Sequence, residues 1–274
     1  MRLLGHKITL SASIGLAIIT INALAAILGP ALAPYGQAEI VGPAWSLPSA
    51  DHWFGLDNLG RDVLSRILYG ARVTIGLSIL ITSLSFFLGV SAGFAAAVLG
   101  RWIDVGLSRL ADLMLSMPSF IFALVVLSVM GTDTTVLILT VGLLYSVPVF
   151  RLARAVAMDI VTLEYVEAAK LRGEGLWWIV RREILPNALP PLLAEFGLRF
   201  CFTFLFIAAL SFLGLGIQPP QADWGSMVRE TGQMIALRST AIYPAVCIAL
   251  MTIGINLVVD WWLAIHSRGH GNEI

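Results

Sequence analysis

The stretch Val73-Thr-Ile-Gly-Leu-Ser-Ile-Leu-Ile-Thr-Ser-Leu-Ser-Phe-Phe-Leu-Gly-Val-Ser-Ala-Gly-Phe-Ala-Ala-Ala-Val-Leu99 carries no ionisable side chain. As an α-helix rising about 1.5 Å per residue, it is long enough to cross the roughly 30 Å hydrocarbon core of a bilayer. Lipid offers no partner to a bare amide, so such a stretch must satisfy its backbone within itself and reads as a spanning helix. Working outward, similar runs lie at about Ile8–Leu28, Leu113–Met130, Thr134–Phe150, Leu192–Gly216 and Ala241–Leu263, giving about six spans. The third and fourth are short and separated only by Gly131-Thr132-Asp133, which predicts a tight helical hairpin. Composition agrees, since 58% of the 274 residues are apolar and 12% charged, against about 25% charged in soluble domains. The fold class is all-α: a polytopic transmembrane bundle in one domain, residues 1–274, with its core over about 73–263.

Inside the quoted stretch, Ser85, Gly89, Gly93 and Ala97 recur every four residues and line one helix face with small side chains. Such a face serves close helix packing in lipid, or lines a pore. Asn22, Asn256 and Asp260 are the main polar intruders in the spans. The asparagines suggest hydrogen bonds between helices, and Asp260 either anchors its helix at the interface or has a functional role.

Placement of Lys and Arg sets the orientation. With the N-terminus inside, the inner set is Arg2, Lys7, Arg101, Arg109, Arg151, Arg154, Lys170, Arg172, Arg181, Arg182 and Arg268. The outer set is only Arg61, Arg66, Arg72, Arg229 and Arg238, so both termini are expected in the cytoplasm. Arg199 falls within the fifth span, where it snorkels to the inner interface or pairs with Glu195 one turn away. A competing reading takes the first segment as a signal peptide with Ala23-Leu24-Ala25 as cleavage site, but the apolar run continues to Leu28. Cys201 and Cys247 fall at different depths and read as small packing residues, not a disulfide. Zero net charge without a basic tail points away from nucleic acid and leaves the lipid bilayer as the chain's surroundings.

Several chemistries lack their residues. The only lysines, Lys7 and Lys170, are followed by Ile8 and Leu171, so no phosphate-binding loop exists; if ATP drives this protein, another chain binds it, and no cofactor is expected here. Span interiors nearly bare of charge, with no inverted repeat visible, count against an ion-driven secondary transporter. His266 and His270 have a metal-like spacing, but Gly269 and Gly271 suggest a frayed tail. No catalytic constellation is present, and the chain is not expected to be an enzyme.

The segment at about 155–190, between the fourth and fifth spans, is too long for a simple connection. Thr162 is placed to cap a short helix, Leu163 to Arg172, and Gly173 to end it in a left-handed conformation. A second short helix holding Trp177, Trp178 and Ile184 is expected to run until Pro186 interrupts it. Ala168 and Ala169 let their helix approach another protein closely, with Glu167, Lys170 and Arg172 as charged contacts at the rim. Before the second span, Leu59, Val63, Leu64, Ile67 and Leu68 share one helical face and Arg61, Asp62, Ser65, Arg66 and Tyr69 the other. That pattern predicts an interfacial helix on the outer membrane surface, within an extracytoplasmic segment over 30–72.

Glu164-Tyr-Val-Glu-Ala-Ala-Lys-Leu-Arg-Gly173 followed by Glu183-Ile-Leu-Pro-Asn-Ala-Leu-Pro190 resembles the "EAA" coupling loop of ABC importer permeases. Phe54-Gly-Leu-Asp-Asn-Leu-Gly-Arg-Asp-Val-Leu-Ser-Arg-Ile-Leu-Tyr-Gly-Ala-Arg72 and Leu210-Ser-Phe-Leu-Gly-Leu-Gly-Ile-Gln-Pro-Pro-Gln-Ala-Asp-Trp-Gly225 resemble the "C" type subunits of the dipeptide, oligopeptide and nickel branch. The resemblance covers most of residues 50 to 260 and implies a type I importer fold. It places ATPase coupling on Glu167, Ala168, Ala169, Gly173, Leu185 and Pro186, and leaves the substrate path unassigned. It departs at Glu174, where a small residue is usual, and after Asp260, where Trp-Trp-Leu-Ala-Ile-His follows. The implied partners are a homologous second permease subunit, two cytoplasmic ATPase subunits and an extracytoplasmic solute-binding protein. The implied cargo is peptide, with nickel or a metal chelate as the alternative, in a multi-pass protein of the inner membrane.

Overall fold

The computed structural model describes residues 9–232 and 239–269, together with Arg2–Leu3 and His6–Lys7, which pair antiparallel. The α-helices are α1 Leu10–Leu32, α2 Val63–Val98, α3 Arg101–Leu115, α4 Ser119–Met130, α5 Thr134–Val161, α6 Glu164–Leu171, α7 Leu176–Ile179, α8 Leu185–Phe212, α9 Trp224–Gly232 and α10 Ile242–Gly269. Among the described residues, five helical stretches are long and apolar enough to cross a membrane, or six if α3 and α4 count as one span bent by 82°.

α4 and α5 meet across the expected turn at 131–133, and the bend corrects only the start of the third span. A helix over Leu113–Met130 is interrupted because Pro118 has no N–H and pushes Met117 towards extended backbone. The chain therefore stops at Leu115, with Ser116 Oγ donating to Leu113 O, and restarts at Ser119.

The interfacial helix is corrected as well. Residues 33–62 form turns, and α2 begins at Val63, capped by the Asp62 carboxylate, which accepts from Ser65 N at 2.8 Å. From there α2 runs unbroken into the second span. The expected polar face does not meet solvent: Arg61, Asp62, Ser65 and Arg66 are buried, while Leu59 is exposed. A helix lying on the surface would have placed its charges in water; here they find partners inside the protein.

The small-residue stripe is a packing face. A Cβ at Gly93 would lie 2.7 Å from Arg154 N and 3.0 Å from Phe150 O, so α2 and α5 touch backbone to backbone. Ser85 Oγ donates to Gly142 O at 2.9 Å in the same seam. Towards the C-terminal end of α5, Arg154 pairs with Asp104 and Arg151 with Asp112, fastening α3 alongside.

The asparagines do not bridge helices. Asn22 Nδ2 donates to Ile18 O of its own helix, a cheaper way to satisfy an amide in lipid, and Asn256 and Asp260 sit exposed on α10. Cys201 and Cys247 are free thiols, and Cys201 packs against Thr252 O of α10. The side chains of the His266 and His270 pair lie outside the described residues.

Candidate functional site

The segment after α5 is built on an apolar seat. Val166 and Ala169 of α6, Ile179 of α7 and Ile184 are fully buried against Phe94, Ala153, Ala157, Ile160, Ala188 and Leu192. This fixes α6 across the ends of α2 and α5. Its outer face is left with Glu164, Glu167, Ala168, Lys170 and Leu171, all exposed.

Helix α6 ends as expected. Gly173 has φ +83°, its N–H donates to Lys170 O at 3.0 Å, and Glu174 N–H donates to Ala169 O at 3.2 Å. This paired closure needs a residue in left-handed backbone at position 173, which glycine adopts without strain.

Three expectations need correction. Thr162 does not cap α6: its hydroxyl donates back to Asp159 O, and the extended residue before the helix is Leu163. Ala169 faces inward, leaving Ala168 as the small residue on the outer face. Pro186 does not end the second helix. Val180–Ile184 forms a single π-helical turn, and α7, this turn and α8 join into one span from Leu176 to Phe212. The wider i→i+5 spacing, with Leu185 N–H donating to Val180 O, makes room for the proline ring. Leu185 and Pro186 are both exposed beside the turn. Tyr165 lies outside the spans, and its phenol is pushed up by burial and, secondarily, by the Glu183 carboxylate on the turn.

At the other end of the bundle the charges are internal. Asp57 Oδ2 accepts from Arg61 Nε at 2.7 Å and Arg66 Nη1 at 2.5 Å, while Glu230 Oε2 accepts from Arg61 Nη2 at 3.0 Å and Arg66 Nη1 at 2.6 Å. Two cations and two carboxylates thus clamp the turn region, α2 and α9 together. Beside them Trp224 is buried, its ring N–H donating to Ile67 O at 3.0 Å and its backbone N–H to Thr74 Oγ1 at 3.1 Å. Asp223 caps α9 through Gly225 N and Ser226 N; its burial raises its carboxyl above the usual range, an effect these bonds oppose. The readable signal was Asp57 and Arg61 four apart with Arg66 beyond. Its partner Glu230, more than 160 residues on, left none.

A family model described as binding-protein-dependent transport system inner membrane component matches residues 64–270. The chain belongs to this family. As such a permease it is a multi-pass inner-membrane transport subunit, not an enzyme, and membership implies ATPase and solute-binding partner chains. The permease is 36% identical to the dipeptide transport system permease protein DppC of Alkalihalophilus pseudofirmus, over 91% of this chain and 83% of the relative. It is 33% identical to the probable D,D-dipeptide transport system permease protein DdpC of Escherichia coli, over 93% and 86%. It is 34% identical to the glutathione transport system permease protein GsiD of Pectobacterium atrosepticum, over 78% and 71%. Among solved structures, the crystal structure of an amino acid ABC transporter with histidines shares the permease's fold at a TM-score of 0.55 and 18% identity, over 72% of this chain and 92% of that one.

Proposed function

We propose that this permease forms half of a peptide translocation path, paired with a homologous second subunit, and receives the work of two cytoplasmic ATPases through α6. ATP is bound by those ATPases, and a solute-binding protein delivers cargo on the opposite side. The supporting observation is mechanical: α6, its outer face exposed, rests through Val166 and Ala169 on an apolar seat shared with the α7–α8 span, and that span continues without a break from the seat to Phe212. A push on Glu167, Ala168, Leu185 or Pro186 moves a spanning helix directly, with Gly173 holding α6 at its angle to α7. Relatives named for dipeptides, D,D-dipeptides and glutathione favour peptide cargo.

Uptake of radiolabelled dialanine and of nickel by proteoliposomes holding the full complex tests the cargo. ATP-dependent dialanine uptake is expected; uptake of nickel alone would replace peptide with metal. The excess of Lys and Arg on one side of the spans supports a cytoplasmic location for both termini. With Cys201 and Cys247 replaced by Ser, Leu47→Cys should label from outside intact cells with an impermeant thiol reagent, and Lys170→Cys only after permeabilisation. Labelling of position 170 but not 47 in intact cells would invert the topology. Leu47 is the better outer probe because it is exposed, whereas Arg66 is buried.

A further inference from the structure

Glu195 and Arg199 are the only charged residues of α8. At 1.5 Å per residue, Arg199 lies about 20 Å along the axis from either end of that helix, so the pair sits near its middle. Arg199 Nε donates to Glu195 Oε1 at 2.8 Å, and both side chains keep part of their surface accessible, 17% and 16%. The guanidinium carbon lies 5.9 Å from the ring centre of Tyr145 on α5 and 5.4 Å from that of Phe202, itself exposed. Phe206 meets Tyr145 edge-on at 5.4 Å and continues this aromatic wall.

The pair lies inside the apolar run Leu192–Gly216, roughly 5–10 Å from its start at 1.5 Å per residue, where a charge facing acyl chains is costly, so its surface opens to water or to protein. Glu195, Arg199, Phe202 and Phe206 follow one stripe of α8, while another stripe, at Cys201 and Phe204, is taken up by α10 and Trp224. Helix stability does not explain the pair, since i,i+4 ion pairs contribute only about 0.2–0.5 kcal/mol. What Glu195, Arg199, Tyr145 and Phe202 present together is a carboxylate, a planar guanidinium and two aromatic rings. That set complements a molecule carrying both an ammonium and a carboxylate, the guanidinium taking the carboxylate as a two-pronged donor.

We infer that Glu195, Arg199, Tyr145 and Phe202 form a station of the translocation path at which a zwitterionic peptide exchanges into the Glu195–Arg199 pair, Glu195 receiving its ammonium and Arg199 its carboxylate. The inference rests on the peptide-import reading. It is tested in the full complex in proteoliposomes. In a background with Cys201 and Cys247 changed to Ser, Phe202→Cys should react with a charged methanethiosulfonate from the aqueous phase, more slowly during dialanine turnover. Absence of reaction overturns the station. Glu195→Gln and Arg199→Gln should each lower dialanine taken up per ATP hydrolysed about tenfold. The exchanged pair, Glu195→Arg with Arg199→Glu, keeps the salt bridge but reverses its order, and uptake per ATP should stay low. Restoration by the exchange would make the pair structural and overturn the proposal. If the unmodified complex fails to import dialanine, the peptide reading falls and this station with it; if it imports normally and the Gln variants match it, the station alone falls.

Discussion

Replacing Asp57 by Ala is expected to destabilise the permease by roughly 3–5 kcal/mol, because it strips a buried charge pair of one partner. Asp57 is almost wholly buried and accepts from both guanidiniums of the clamp and from the backbone N–H groups of Leu59 and Arg61, at 2.8 and 3.0 Å. Without it two buried cations share Glu230 alone, and the turn that leads into α2 loses its internal acceptor. The measurement is the thermal midpoint of the purified complex beside Asp51→Ala, an exposed carboxylate whose loss should stay within about 0.5 kcal/mol. Equal midpoints for the two variants would mean that the clamp does not hold this end together.

Replacing Gly173 by Val should abolish most transport while leaving membrane insertion intact. A side chain there meets nothing within 4 Å, so the effect comes from the backbone alone. A β-branched residue at φ +83° is strained by about 1–3 kcal/mol. Relieving that strain breaks the paired closure at Ala169 and Lys170 and turns α6 away from α7. At about tenfold per 1.4 kcal/mol, the docked arrangement becomes roughly 5- to 150-fold rarer. Asn, which tolerates left-handed backbone, should recover much of the uptake, a pattern that a simple loss of folding would not give. Uptake at matched membrane levels decides the matter, and normal uptake by Gly173→Val would remove the angle between α6 and α7 from the mechanism.

Local features were legible in the sequence and distant ones were not. The left-handed turn at Gly173 could be read because only one helix and its terminus were involved. The packing stripe through Gly89 and Gly93 could be read because a four-residue spacing defines a helix face. The face before the second span misled because amphipathic spacing says which residues lie together, not whether water or protein covers them; Arg61 and Arg66 turned inward to meet Glu230. Pro186 misled for a related reason: one π turn absorbs a proline that would break a regular helix. In α6 the inward turn of Ala169 depends on the seat formed by Phe94, Ala153 and Ala157, residues on two other helices.

The most direct test of the central claim places a photoreactive benzoylphenylalanine at Ala168, on the exposed face of α6, in the complete complex under ATP turnover. A crosslink is expected from position 168 to the ATPase chain, and none to that chain from the same probe at Trp53, exposed at the other end of the bundle. A complex that transports normally with no crosslink from 168 to the ATPase, or with one from 53, would contradict it.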